Sequence, residues 1–426
     1  MDLTKSAKED LAAAVGRAEQ SYDKLRGRNL ALDMTRGKPA PDQLDLADGM
    51  LTIVGHGDTD GDDGTDYRNY GILAGIPEAK KLFAELLEVS PKEIVVGGNS
   101  SLTMMYDTVM GGMYFGMPGG TKPWKEQGTV KFICPVPGYD RHFAICVRLG
   151  IEMVTVAMTP DGPDMDAVEA LVRDDATIKG IWCVPKYSNP SGEVYSDATV
   201  ERLAKMAVAA ADFRVFWDNA YVVHHLGDGP APLKNMLEAC KQAGNPERVL
   251  MFGSTSKITH AGAGVAVMAA SEVNVADALK KMFFSSIGPD KINQLRHVRF
   301  FKDMKGVLQH MEAQAKLIAP KFAAVEAALQ KNLAGKGIAK WTAPKGGYFV
   351  SVEVLEGCAA DIVKMADAAG VKLTPAGATH PYGKDPNDSF IRLAPTMPGV
   401  KDIETAMEVF CACVELVCAR KLQAKG

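Results

Sequence analysis

Residues 4–26 carry apolar side chains at Leu11, Ala14, Val15, Ala18, Tyr22 and Leu25, the three-and-four spacing that lines one face of a helix. The chain is therefore expected to open with a helix, with Thr4 or Ser6 in reach as its cap. The next stretch, RNLALDMTRGKPAPDQLDLA, holds Gly37, Pro39 and Pro41 and predicts extended chain, and the acidic GHGDTDGDDGTD predicts turns. From residue 77 onward the pattern alternates. Helical segments (PEAKKLFAELLE, SLTMMYDTVMGGM, RHFAICVRLG, DMDAVEALVRD and TVERLAKMAVAAAD) are separated by short apolar runs (EIVVGG, KFICPV, EMVTVAM, GIWCVP, RVFWD and RVLMFGS). Strands buried on both faces are apolar throughout, so this order predicts an α/β fold around a mostly parallel sheet covered by helices. A long helical stretch near 300–335, then GGYFVSVEV, another helix and FIRLAP, predicts a second, smaller unit.

Composition narrows the class. At about 100 to 200 residues per domain, 426 residues allow two or three domains, and 47% hydrophobic with 23% charged residues excludes general disorder and fibres. A net charge of −4 supplies no basic field for phosphate backbones, so nucleic acid is not an expected partner. The eight cysteines are scattered through apolar stretches with no C-x-x-C pair, the usage of reduced thiols. With no signal-type apolar core and no run of about 18 apolar residues, no membrane partner is expected and the expected location is cytoplasmic. No metal is expected. Cys411 and Cys413 lack further ligands nearby, and a calcium pattern begun at Asp58 puts Asp63 where glycine belongs and Asn69 where glutamate belongs.

The candidate chemistry lies at strand ends, where α/β sheets bind their ligands. VVGGNSS runs a strand through Gly97 and Gly98 into Asn99, Ser100 and Ser101 at a helix start, where free amides and hydroxyls suit a phosphate, although such turns are common. CPVPGYDRH places Tyr139 after a Pro-Gly turn, where its ring is able to cover a planar group or simply pack. Asn189 follows the strand ending near Val184, in ordinary turn chemistry. RVFWDNAYVVHH delivers Asp218 from a buried strand with Tyr221 three residues on, and a buried acid needs a cationic partner such as a protonated ring nitrogen. Its His224 and His225 lack the carboxylate cluster that a metal site would want. GSTSKITHAGAGVAVM presents Lys257 among hydroxyls between two strands, an amine suited to attack an aldehyde. Together these groups describe the functional parts of pyridoxal 5'-phosphate.

The phrases MTRGKP, DYRNYGILAGIPEAKKLF, VGGNSSLTMMYD, CPVPGYDRHF, STSKITHAGAGVAV and GPDKINQLRH carry a resemblance over nearly the whole chain. It resembles the fold type I pyridoxal-phosphate aminotransferases of class I and II, most of all the bacterial aspartate aminotransferases called class Ic, and also the aminotransferase-like domains of MocR-type regulators. The resemblance implies a seven-stranded-type sheet in a large cofactor-binding domain at 50–318, with 1–49 and 319–426 forming a small α+β domain. It implies Lys257 as the cofactor-linking lysine and proton carrier, Asp218 at the pyridinium nitrogen, and Tyr221 and Asn189 at the phenolic oxygen. Tyr139 would stack on the ring, Asn99, Ser100, Ser101 and Ser254 would hold the phosphate, and Gly37 and Arg392 would meet the substrate carboxylate. Tyr70 matches a tyrosine that reaches the neighbouring subunit's phosphate, which implies a homodimer with sites at the interface. One departure stands out. Eight residues after the lysine, where most class I members grip the phosphate with arginine, this chain has Val265.

The implied reaction is transamination between an amino acid, L-aspartate, and a 2-oxo acid such as 2-oxoglutarate. A dicarboxylic substrate needs a second cation, for which Lys291, Arg141 and Arg36 are the candidates. The alternatives are transamination of alanine, aromatic substrates or kynurenine with glyoxylate, PLP-dependent β-elimination, and a non-enzymatic PLP sensor. Against the sensor, no basic DNA-binding segment precedes the core.

Overall fold

A computed structural model describes every residue except Asp228 and Gly426. Among the described residues the strands, in chain order, are β1 (Leu32–Met34), β2 (Ile94–Val96), β3 (Lys131–Val136), β4 (Glu152–Thr159), β5 (Gly162–Pro163), β6 (Ile178–Cys183) and β7 (Arg214–Asp218), followed by β8 (Val249–Ser254), β9 (Ala266–Ala270), β10 (Ala339–Trp341), β11 (Val350–Val354), β12 (Val371–Leu373) and β13 (Phe390–Leu393). The large sheet has the order β2-β9-β8-β7-β6-β3-β4-β5. From β8 through β7, β6 and β3 to β4 every pairing is parallel, whereas β9 is antiparallel to both β8 and β2. The sheet thus has one strand more than the seven expected. In TPDGP the chain reverses at Gly162 (φ 121°), and the two-residue β5 pairs back on β4 through Met158 and Pro163.

Alternation of side chains along the strands builds two cores, one on each face of this sheet. Ile133, Ile181, Val215 and Met251 pack on one face under helices that include Pro77–Leu87, Met165–Asp174 and Asp197–Lys205. Phe132, Trp182, Phe216 and Phe252 pack on the other, beneath Ser101–Phe115 and Asp140–Leu149. Phe132 is fully buried and meets Trp124, Trp182 and Phe216 at centroid distances of 5.4 to 5.7 Å. Glycine at 180 makes room for its ring, since a Cβ there would lie 2.8 Å from it.

The helix expected across 199–212 stops early: it spans Asp197–Lys205, and Met206 takes an extended conformation (ψ 141°). Arg248 holds the carbonyls of Leu203 and Met206 (3.3 and 2.8 Å), and Asn245 holds that of Ala204 (2.9 Å). Side chains distant in sequence thus satisfy the last carbonyls that another helical turn would have used.

A second body of structure joins the two ends of the chain. The opening helix, Lys8–Arg26, packs on the final helix, Val400–Lys425, and Leu11, Ala14, Ala18 and Tyr22 share a core with Val325, Leu329, Phe410 and Val414. β1 pairs in parallel with β12, and β11 lies between β10 and β13 with Ser351 opposite Arg392.

Truncating Phe132 to alanine should cost about 3 to 5 kcal/mol, because its cavity is walled by rigid aromatic rings. Urea unfolding should show the loss as a lower midpoint with an unchanged slope.

Candidate active site

Parallel register brings the carboxyl ends of the central strands to one edge, with Cys183 beside Trp217 and Asp218 beside Phe252. Asp218, 3% exposed, terminates β7 there. Its Oδ2 accepts a hydrogen bond of 3.0 Å from His142 Nε2. Oδ1 is also buried, and among the described residues it has no partner. A buried carboxylate with one oxygen held and the other bare is a receptor for one more donor, best a cationic one. The His142 ring stacks on Trp182 at 4.4 Å and meets Tyr139 edge-on at 4.9 Å. Sequence reasoning missed His142. The signal was its place three residues after Tyr139, which puts both on one side of the first turn of Asp140–Leu149.

Lys257 lies in the turn that follows β8, where Thr255 N–H bonds the Val265 carbonyl and Ile258 N–H bonds the Thr255 carbonyl. Its Nζ sits 5.1 Å from the centre of the Tyr221 ring, and among the described residues neither a carboxylate nor a hydrogen-bond acceptor pairs with it. Burial lowers the amine's pKa, and the charge of Asp218 partly opposes that shift. The lowered value enlarges the neutral, nucleophilic fraction. The phenol of Tyr221 is pushed well up, first by burial and then by Tyr139 and Asp218.

Two groups pin the Lys257 backbone: His224 Nε2 at 3.2 Å and Tyr348 OH at 3.3 Å both donate to its carbonyl. Burial, with the nearby Lys257 charge, pushes the His224 pKa down to about 3, so the ring is neutral. His225 turns instead to Tyr187 OH, 2.6 Å away, so the neighbouring histidines diverge. Behind the turn, buried His297 lies 3.0 Å from Thr255 Oγ1 and 2.9 Å from Thr259 Oγ1.

Asn99, Ser100 and Ser101 lead from β2 into the helix Ser101–Phe115, whose N-cap Ser100 makes no side-chain capping bond. The first amides of that helix therefore lack intrahelical acceptors. Gly97 and Gly98 exchange backbone bonds with Ala266 (2.8 and 2.7 Å), and Ser256 Oγ bonds the Asn99 carbonyl at 3.3 Å. Ser254, bonded to Ser256 at 3.0 Å, is thus set beside Asn99. Val265 is buried in the core, with its N–H on Thr255 Oγ1 at 2.9 Å.

Arg392 reaches the same edge from β13. Its Nη1 donates to Asn189 Oδ1 (3.2 Å) and Asp140 Oδ1 (3.0 Å), and its guanidinium lies 4.8 Å over the Phe349 ring. Gly37 approaches that ring closely, since a Cβ there would be 2.7 Å from Phe349 Cζ. Contacts thus join Asp218 to Tyr139 through His142, Lys257 to Tyr221, and Arg392 to Asn189 directly and to Gly37 through Phe349. Arg141 and Arg36 are exposed, with no side-chain partner among the described residues. Lys291 is buried, its Nζ on the Gly71 carbonyl at 3.1 Å, and Tyr70 next to Gly71 is 83% exposed. Phe283, Phe284 and Ile287 are likewise exposed.

The open Asp218 oxygen, the unpaired Lys257 amine, the Tyr139 ring and the uncapped turn at Ser100 fit a flat cationic ring bearing an aldehyde and a phosphate. The chain matches the family described as aspartate amino-transferase over residues 3–425. It is 45% identical over 401 residues to an aspartate aminotransferase of Corynebacterium glutamicum, covering 94% of this chain and 93% of that one. A crystal structure of an aspartate transaminase from the same organism superposes with a TM-score of 0.97, at 44% identity and 99% coverage of both chains. The α-aminoadipate aminotransferase LysN of Thermus thermophilus, complexed with N-(5'-phosphopyridoxyl)-L-leucine, shares the fold with a TM-score of 0.74, at 21% identity and coverage of 97% and 98%.

The buried histidines predict a pH dependence. His224 is held down to about 3 and His225 and His297 to about 4, each chiefly by burial, against an ordinary value of 6.5. Below 6.5 the unfolded chain binds protons that the folded chain refuses, so stability is intact above that pH and falls as pH drops towards 4. Urea midpoints measured from pH 7.5 to 4.5 should show this loss, with a shallower slope in His224→Gln.

Proposed function

The chain belongs to the aspartate amino-transferase family, and from that premise we propose that it moves an amino group between L-aspartate and 2-oxoglutarate with pyridoxal 5'-phosphate as cofactor. The observation that carries this reading is a buried carboxylate with a bare oxygen whose charge reaches a buried amine that has no partner among the described residues. Bound there, pyridoxal phosphate supplies an electron sink that weakens the bond from the substrate's Cα to hydrogen. Lys257 Nζ would hold the cofactor through its aldehyde carbon and, when free, would take up the substrate's Cα proton. Asp218 Oδ1 would pair with the ring nitrogen, and His142 holds Asp218 in place through Oδ2. Tyr221 and Asn189 hold the phenolic oxygen, Tyr139 covers the ring, and Asn99, Ser100, Ser101 and Ser254 take the phosphate.

Arg392 takes the α-carboxylate beside Gly37. For the distal carboxylate the exposed, unpaired Arg141 is the better placed cation, since Lys291 is committed to Gly71. Exposed Tyr70, Phe283, Phe284 and Ile287 support a homodimer in which Tyr70 serves the partner's phosphate site. In this reading 50–318 forms the cofactor unit, 1–49 with 319–426 forms the smaller one, and the enzyme works in the cytoplasm.

The test is a donor and acceptor screen with product analysis. The protein should convert L-aspartate only when a 2-oxo acid is supplied; ammonia released without an acceptor would identify a lyase instead. Borohydride should fix the cofactor to a single peptide containing Lys257, and Lys257→Ala should abolish turnover. Asp218→Asn should cost about 2 to 5 kcal/mol in kcat/KM, the range for leaving one member of a buried charge pair alone.

Specificity has its own test. Arg141→Gln should lower kcat/KM for L-aspartate about tenfold or more while leaving L-alanine nearly unchanged, because only aspartate presents a second anion. Equal losses on both donors would move the distal site elsewhere.

A further inference from the structure

Arg392 carries five N–H donors in a fixed fork. Nε meets Thr374 Oγ1 at 3.4 Å, the two Nη1 protons go to Asn189 and Asp140, and among the described residues Nη2 has no acceptor. A carboxylate gripped across both terminal nitrogens needs one proton from each. Nη1 must therefore release a partner. Asn189 is 5% exposed and packed in the cleft, whereas the Asp140 side chain is 37% exposed at the first position of its helix. The more exposed Asp140 carboxylate loses less on being released to solvent than the buried Asn189 amide would, so Asp140 is the partner that leaves.

We infer that Asp140 is an internal stand-in for the substrate's α-carboxylate, occupying Arg392 in the free enzyme and giving way to each amino or oxo acid that binds. The inference rests on the reading that Arg392 takes the α-carboxylate. Without Asp140, the nearly buried Arg392 guanidinium would face no anion among the described residues, an arrangement that proteins seldom tolerate. The stand-in weakens binding of every α-carboxylate by a common factor. It does not choose among side chains, and it gives each product a competitor that helps to expel it. Asp140 acts through Arg392 and is a positioning residue, not a catalytic one.

The probe is succinate, a dicarboxylate without an amino group, titrated calorimetrically into the cofactor-loaded enzyme. Asp140→Asn should bind it about three- to tenfold more tightly, the scale of a half-exposed ion pair removed from competition. KM for L-aspartate, L-alanine and 2-oxoglutarate should fall by a similar factor, with kcat changing less than KM. Asp140→Ser, which suits a helix N-terminus, should do the same and guards against a packing effect of the amide. In an Arg392→Lys background, where no two-pronged grip exists, the gain should vanish. Succinate binding in both Asp140 variants no tighter than in the parent overturns the inference, as does a gain confined to aspartate. If Arg392→Lys itself leaves succinate affinity unaltered, the failure lies in the carboxylate site and not in Asp140.

Discussion

A carboxylate at the end of a buried strand, held on one oxygen and bare on the other, is the constraint around which the rest of this molecule is arranged. Burying Asp218 is costly unless both oxygens are answered. His142 answers one, and it does so from a ring clamped between Trp182 and Tyr139. The other oxygen has no partner among the described residues, and the charge of Asp218 tempers the depression of the Lys257 amine.

Geometry follows from the parallel run of β8, β7, β6, β3 and β4, whose carboxyl ends share an edge. The antiparallel turn from β8 to β9 is equally important: it doubles the chain back at the lysine, and the threonines flanking Lys257 are tied to His297 on a separate helix. The lysine backbone is held from the other side by His224 and Tyr348. A lysine held by its backbone from two directions keeps its place while its side chain stays free to move.

Arg392 closes the arrangement by reaching across from the sheet built by the chain's C-terminal part. It touches Asn189 in the loop after β6 and Asp140 at the helix start after β3, and Thr374 and Phe349 from its own side. One guanidinium thus ties the C-terminal sheet to the elements that follow the strands of the large one.

The legible features were those set by local chemistry. Alternating apolar runs announced the sheet, because strands buried on both faces admit little else, and abrupt polar residues at the ends of those runs put Asp218 and Lys257 forward as candidates, whereas Tyr139 and Asn189 read locally as packing and turn residues just as readily. Arg392 and Gly37 came from resemblance alone, since nothing in FIRLAP or MTRGKP requires a binding role. Other features depend on contacts between residues far apart in sequence. The early end of the helix at Lys205 depends on Arg248 and Asn245 capping its carbonyls, and the short β5 on pairing across a glycine turn. Asp140 and His142 stand in an unremarkable helix start. Their partners, Arg392 and Asp218, lie 252 and 76 residues away, and only the folded chain brings them to 3.0 Å. Sequence alone determined which groups carry charge, a nucleophile or an aromatic face, because those are properties of single side chains and their neighbours. The tertiary structure decided which of those groups face each other and which oxygen or proton is left over, because pairing in a buried site depends on distance and on the exclusion of water.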